Sequence, residues 1–411
     1  MRILYLSYDG LTDALGQSQI LPYLRELAKL GHEIDIISFE KPERHNLLAD
    51  SVKHDCQKHG LGYYPMSYTK KPPILSTLRD IQRMKKKAQT LNRNKSYQWV
   101  HCRSYISAIV GEWMQSKFGV KFLFDMRGFY ADERVDGGIW PQSNPLYRWV
   151  YRYFKRKERD FLSKADHVIS LTHKAKTIIE SWKVVSSPDK ISVIPCCVDT
   201  THFKRNNSGR QEVRNTLGID NNTLLIGYVG STGTWYLLKE MLLFFKEVAV
   251  LHPNAKFYFI TLDNPAPILE KARQVGLRND QLHIASVERS DLPAHLSALD
   301  LSMFFIQPVF SKAASSPTKH GELMSVGVPV ICNAGVGDTD EIIQRYRAGY
   351  CIQDFSRSSM KDAANNLNEL LKSDVSPIIE GAKTYFSLEK GIDQIHRIYE
   401  SANEPISHTS S

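Results

Sequence analysis

No stretch of about 18 consecutive apolar residues occurs in this 411-residue chain, so no membrane-spanning helix is expected. The opening Met-Arg-Ile-Leu-Tyr-Leu-Ser turns polar too soon for a secretory signal and reads as a first strand. Cysteine is scarce and unpatterned. Its six residues, at 56, 102, 196, 197, 332 and 351, make no Cys-x-x-Cys pair and no metal-ligand spacing. Reduced, mostly buried thiols of a cytosolic protein are expected, with no metal and no cofactor. The glycine patterns that cradle phosphates are missing as well. Without G-x-G-x-x-G a dinucleotide oxidoreductase is disfavoured, and no Walker-type G-x-x-x-x-G-K-[ST] occurs. No internal repeat or low-complexity segment is present.

What is present is an ordinary globular balance, 42% hydrophobic and 24% charged, at a length that suggests two or three domains. Charge is unevenly placed. Residues 1–200 hold 32 Lys and Arg against 21 Asp and Glu, whereas residues 201–411 hold 21 against 23. An acidic partner for the first half is implied, and no nucleic acid is expected. In residues 74–95, Ile74, Leu78, Ile81, Met84 or Ala88, and Leu91 recur at helical spacing. Arg79, Arg83, Lys85, Lys86, Lys87, Arg93 and Lys95 accompany them. A basic amphipathic helix of this kind can lie on an anionic membrane face. A surface helix with a buried apolar stripe is the alternative. A second basic run spans Arg148, Arg152, Lys155, Arg156, Lys157 and Arg159.

The apolar pattern alternates between strand and helix along the chain. Strands are predicted at 2–7, 33–39, 98–102, 121–125, 166–172 and 190–195, with helices between. The loop 8–18 leads into a helix with Ile20, Leu21, Leu24, Leu27, Ala28 and Leu30 on its apolar face, ended by Gly31. The pattern restarts with strands at 224–230, 256–261, 281–285, 299–306 and 328–331. This is a doubly wound α/β pattern, in which ligands meet the carboxyl ends of strands. Asp125, Arg127, Asp132 and Glu133 follow one such end and are candidates for catalysis or acceptor contact; a structural Asp–Arg pair is the alternative. His101 and Arg103, at the preceding strand end, are weaker candidates, because a lone His is more often structural. Gly230 and Gly233 would let backbone approach a phosphate.

The stretch Ser315 to Cys332, SSPTKHGELMSVGVPVIC, concentrates the chemistry. Ser316 is a good N-cap and Pro317 suits the first helical position. Gly327 ends the helix and a buried strand follows. Lys319 falls in the first turn, against the positive end of the helix dipole. A cation beside free backbone N–H groups fits a bound anion, with Glu322 one turn further in. A solvated lysine is the alternative.

This segment resembles the donor site of retaining glycosyltransferases of family 4, which have the GT-B fold. The resemblance extends in order over nearly the whole chain. It implies two Rossmann-like, doubly wound parallel-sheet domains facing across a cleft. It also implies that Glu322 holds the ribose of a nucleotide sugar and Lys319 its diphosphate. Many members carry a second Glu eight positions earlier, where this chain has Ala314. Most carry an Arg and a Lys in the loop after the strand at 224–230, where Ser231 and Tyr236 stand nearest. Gly16 matches the family's glycine loop facing the donor phosphates, Asp338 its donor-side loop, and Asp125-x-Arg127-Gly a segment found in a subset of members. Arg127 would act on the leaving diphosphate or on an acidic acceptor. The implied domains are 1–197, acceptor-binding, and 198–386, donor-binding, then a helix at 387–402 crossing back and a polar tail at 403–411.

The expected function is transfer of a sugar from a nucleotide-diphosphate sugar to a glycan or lipid-linked acceptor in cell-envelope synthesis. Positioning and stabilisation of the departing diphosphate would supply catalysis. The expected location is cytoplasmic, peripheral at the inner face of the membrane. A GT-B sugar-nucleotide epimerase and a catalytically silent partner in polysaccharide assembly are the alternatives.

Overall fold

The computed structural model describes residues 1–401, so the tail expected at 403–411 lies outside the described residues. Two compact units divide the chain: Met1–Ile194 together with the chain from Glu389 onward, and Pro195–Leu388. The C-terminal helix, Leu388–Glu400, thus belongs almost wholly to the first unit.

The first unit holds seven parallel strands. They are β1 (Arg2–Ser7), β2 (Glu33–Glu40), β3 (Gly62–Ser67), β4 (Trp99–Arg103), β5 (Lys121–Asp125), β6 (His167–Ser170) and β7 (Ile191–Val193), in the order β3-β2-β1-β4-β5-β6-β7. The second unit holds six: β8 (Leu225–Val229), β9 (Lys256–Ile260), β10 (Leu282–Ala285), β11 (Leu301–Phe304), β12 (Val330–Asn333) and β13 (Gly349–Ile352), ordered β10-β9-β8-β11-β12-β13. The inner strands are rich in apolar residues, because helices cover both faces of a parallel sheet. Phe257, Tyr258 and Phe259 are fully buried. Each such side chain contributes about 1.5–3 kcal/mol by leaving water. The strand order reverses between β1 and β4, and again between β8 and β11. These switch points are where doubly wound sheets open a crevice for ligands.

Three local expectations need correction. The loop 8–18 already turns helical at Ala14–Gln19, breaks at Ile20 and resumes at Leu21–Lys29. The helix Leu75–Lys95 buries its apolar stripe, Ile81, Met84, Ala88 and Leu91, within the protein. Leu78, at the start of that stripe, stays 52% exposed. Some of its cations are engaged: Lys95 pairs with Asp35, Arg83 with Asp80, and Lys87 lies over the Tyr64 ring. Finally, Ser316 does not cap its helix. The helix Thr318–Ser325 starts after Pro317, and the Ser316 hydroxyl accepts the Cys196 N–H at 3.1 Å.

Candidate active site

In the first unit, parallel register sets Ser7, Arg103 and Asp125 side by side at the carboxyl ends of β1, β4 and β5. Four of the expected residues meet there. His101 Nε2, Arg103 Nη1 and Arg127 Nη1 each lie 3.7 Å from an Asp125 carboxylate oxygen. Arg103 Nε is also 3.7 Å from Asp9 Oδ2. These separations are ion-pair distances, too long for direct hydrogen bonds. Burial pushes the Asp125 carboxyl up, but Arg127, His101 and Arg103 together outweigh it and hold the group below its ordinary value. Burial pushes His101 down, further than Asp125 pulls it up. The pair is thus a carboxylate beside a neutral imidazole.

The polar capacity of this cluster is unspent. Asp125 Oδ1, Arg103 Nε and His101 Nε2 are buried without a hydrogen-bond partner among the described residues. Buried polar atoms are rarely left so unless a ligand or water completes them. Beside them lies a small recess lined by Tyr5, Gln19, Tyr23, His101, Asp125 and Arg127 among others. Arg127 itself sits at φ +59° and Gly128 at φ +132°. A left-handed arginine costs of order 1–3 kcal/mol, which persists where surrounding structure imposes it.

Other expected residues have structural roles. Both Asp132 oxygens are used inside the unit, by Tyr151 Oη at 2.9 Å and Lys155 Nζ at 2.8 Å. Asp132 thus ties the helix Tyr130–Asp136 to the helix Pro145–Lys164, and Glu133 follows it half-buried. Gly16 is required by its own loop: a Cβ there would lie 2.3 Å from the Gly10 carbonyl oxygen. Glu40 escaped the sequence reading. Its carboxylate accepts from the N–H groups of Leu11 and Thr12 and from the hydroxyls of Thr12 and Ser38. It therefore shapes the loop that follows β1.

In the second unit, Lys319 is 8% exposed on the first turn of Thr318–Ser325. Its Nζ donates to Tyr228 Oη at 3.0 Å and lies 4.1 Å and 3.7 Å from the ring centroids of Tyr228 and Tyr236. No carboxylate lies within ion-pairing distance of it among the described residues. Burial pushes this amine well below its usual value, and only Glu322 pulls it back. Gly230, at φ +111°, keeps the space open: a Cβ there would stand 3.0 Å from Nζ. The Ser231 carbonyl accepts the Tyr228 hydroxyl, while its side chain is exposed. Tyr236 thus supplies an aromatic wall at a position where the resemblance expects a cation.

Glu322 lies one turn on, 5% exposed, with Oε1 at 3.1 Å from Arg289 Nη1. Burial pushes its carboxyl up against the opposing pull of Arg289 and Lys319. The Arg289 guanidinium stands over the Phe203 ring at 5.0 Å. Sequence reading missed Arg289, since it sits in a loop without a pattern. Asp338 is buried at the start of Thr339–Tyr346, where its Oδ2 accepts from Tyr385 Oη at 2.6 Å. Ala314 is buried at 2% exposure, so a methyl fills the place of the family's other Glu. A buried cation between tyrosine rings at a helix start, with a carboxylate a turn away, suits an anion whose neighbour carries hydroxyls.

Comparison with known proteins identifies the family. The model of Glycosyltransferase Family 4 matches residues 19–202, and that of Glycosyl transferases group 1 matches residues 209–383. A curated relative, described as the teichuronic acid biosynthesis glycosyltransferase TuaC of Bacillus subtilis (strain 168), is 24% identical over 260 residues. That match takes in 62% of this chain and 60% of the relative, so the chain spans about three fifths of that protein's length. Among solved structures, HepE of Anabaena in complex with UDP and glucose superposes with a TM-score of 0.69 at 14% identity, covering 98% of this chain and 100% of that one. Sucrose-phosphate synthase of Thermosynechococcus elongatus gives 0.74 at 15% identity, covering 98% of each chain. With both sheets, both family models and these neighbours in agreement, the chain belongs to the family 4, group 1 glycosyltransferases of the GT-B fold.

Proposed function

We propose that this protein is a retaining glycosyltransferase that moves a sugar from a nucleotide-diphosphate sugar to a glycan or lipid-linked acceptor of cell-envelope polysaccharide synthesis. The observation that carries the reading is Lys319, a buried amine with no carboxylate partner at a helix start. A diphosphate supplies the missing negative charge, and its departure during transfer is when that charge grows. A fixed cation in a dry pocket then stabilises the leaving group more than the bound substrate. Glu322, oriented by Arg289, would accept the ribose hydroxyls. Asp125 and Arg127, with His101 and Arg103, would hold the acceptor. Neighbours solved with UDP and with UDP-glucose support the donor class, and the TuaC relative supports an envelope polysaccharide.

Incubating the purified chain with nucleotide sugars, with and without an extracted lipid-linked acceptor, separates the alternatives. Transfer predicts a new glycoside and free nucleotide diphosphate only when acceptor is present. An altered sugar nucleotide from donor alone would establish an epimerase, and no donor binding would leave the silent partner. In the same assay Arg127→Lys, which keeps the charge but loses the planar fork, should lower turnover by about tenfold at saturating donor.

A further inference from the structure

His32 closes the turn before β2, and His396 and Glu400 stand four residues apart on the C-terminal helix, hence on one face. The two histidines are 364 positions apart in the chain and meet within the first unit. His32 Nε2 and His396 Nδ1 approach to 2.8 Å, with ring planes inclined at 61°. One nitrogen from each ring and a carboxylate oxygen of Glu400 all lie within 4.8 Å of one another. His32 is 4% exposed, and its Nδ1 has no partner among the described residues.

We propose that His32, His396 and Glu400 bind a divalent transition-metal ion of zinc type, which clips the C-terminal helix to the first sheet. The hydrogen bond between the two imidazoles uses one proton and one lone pair. A metal uses both lone pairs and the carboxylate charge as well. Bonds of about 2.0–2.1 Å from zinc to nitrogen require the two nitrogens to part by only a few tenths of an ångström. Two imidazoles and one carboxylate form a donor set that zinc takes readily, with water completing the tetrahedron.

The site is a positioning device rather than a catalytic one. Tyr399 lies between the two helix ligands, its carbonyl accepting from Trp99 Nε1 at 3.0 Å. The Tyr399 hydroxyl shares a 2.6 Å hydrogen bond with His101 Nδ1. Metal at the clip therefore fixes the helical turn that orients His101 beside Asp125.

Titration of chelator-treated full-length protein with zinc chloride tests the proposal. One site per chain is expected by calorimetry, together with a rise in the thermal unfolding midpoint that EDTA reverses. Glu400→Gln changes a half-buried residue of the last turn. It should weaken zinc binding about tenfold or more and shrink the zinc-induced rise over its own metal-free midpoint. His396→Gln should abolish the site and the visible bands of bound cobalt. Absence of zinc binding by the parent would leave a plain imidazole–imidazole hydrogen bond. Equal binding by parent and both variants would put the metal elsewhere. Either result overturns the proposal.

Discussion

A lysine amine enclosed by two tyrosine rings loses most of its hydration, and here no carboxylate lies within ion-pairing distance among the described residues. The sign of the consequence is fixed. Because burial lowers the folded-state pKa of Lys319 below 10.5, the unfolded chain holds the proton more tightly. This residue's contribution to ligand-free stability therefore rises with pH between the depressed value and 10.5. An anion in the pocket restores the charged amine, so binding should take up a proton. Calorimetry of UDP binding over a pH series, in buffers of different ionisation heat, should report that uptake between the depressed value and 10.5, and Lys319→Met should eliminate it. Heat independent of the buffer would mean that Lys319 does not sense the ligand. The conflict between Lys319 and the helix dipole was legible in the sequence, as was Glu322. The tyrosine walls, Arg289 and Glu40 were not, because their roles arise from side-chain packing across elements that no local pattern encodes.

Inner strands announce themselves as apolar runs, and the sequence reading located them within a few residues. The two strands it missed, β3 and β13, are both sheet edges. Edge strands are half-exposed and tolerate residues that inner strands reject. Pro65 lies within β3, and Gly349 opens β13. A second helix offers the membrane expectation a comparable exposed face. The helix Leu75–Lys95 buries most of its stripe but exposes Leu75 and Leu78 at 64% and 52%, and the helix Pro145–Lys164 exposes Leu146 and Trp149 at 54% and 61%. Arg152 and Arg156 continue that exposed face at helical spacing. An aromatic residue flanked by arginines suits the interface of an anionic bilayer. Sedimentation with anionic liposomes should fall roughly thirtyfold for Arg152→Gln combined with Arg156→Gln, at about 1 kcal/mol per charge. The triple change of Lys85, Lys86 and Lys87 to Gln should have little effect. Loss with the lysine triple alone would return the contact to the earlier helix. Equal recovery on neutral vesicles would remove electrostatic docking altogether.

The whole molecule pairs a strongly basic first half with a near-neutral second half, each built on a parallel sheet with its own switch point. The first switch point gathers Asp125, His101 and two arginines, whose open polar atoms suit hydroxyls and anionic groups. In the second, Gly230 at the end of β8 approaches Lys319 on the helix after β11, which suits a diphosphate. This division of labour makes the donor's affinity depend on one side chain far more than the fold does. Titration of UDP into the full-length chain and its Lys319→Ala variant measures that dependence most directly. Loss of a hydrogen-bonded charge should weaken UDP binding by about 1.5–3 kcal/mol, tenfold to a hundredfold or more, with the ligand-free unfolding midpoint unchanged or raised. A folded Lys319→Ala variant that binds UDP as tightly as the parent would contradict the assignment of the donor site.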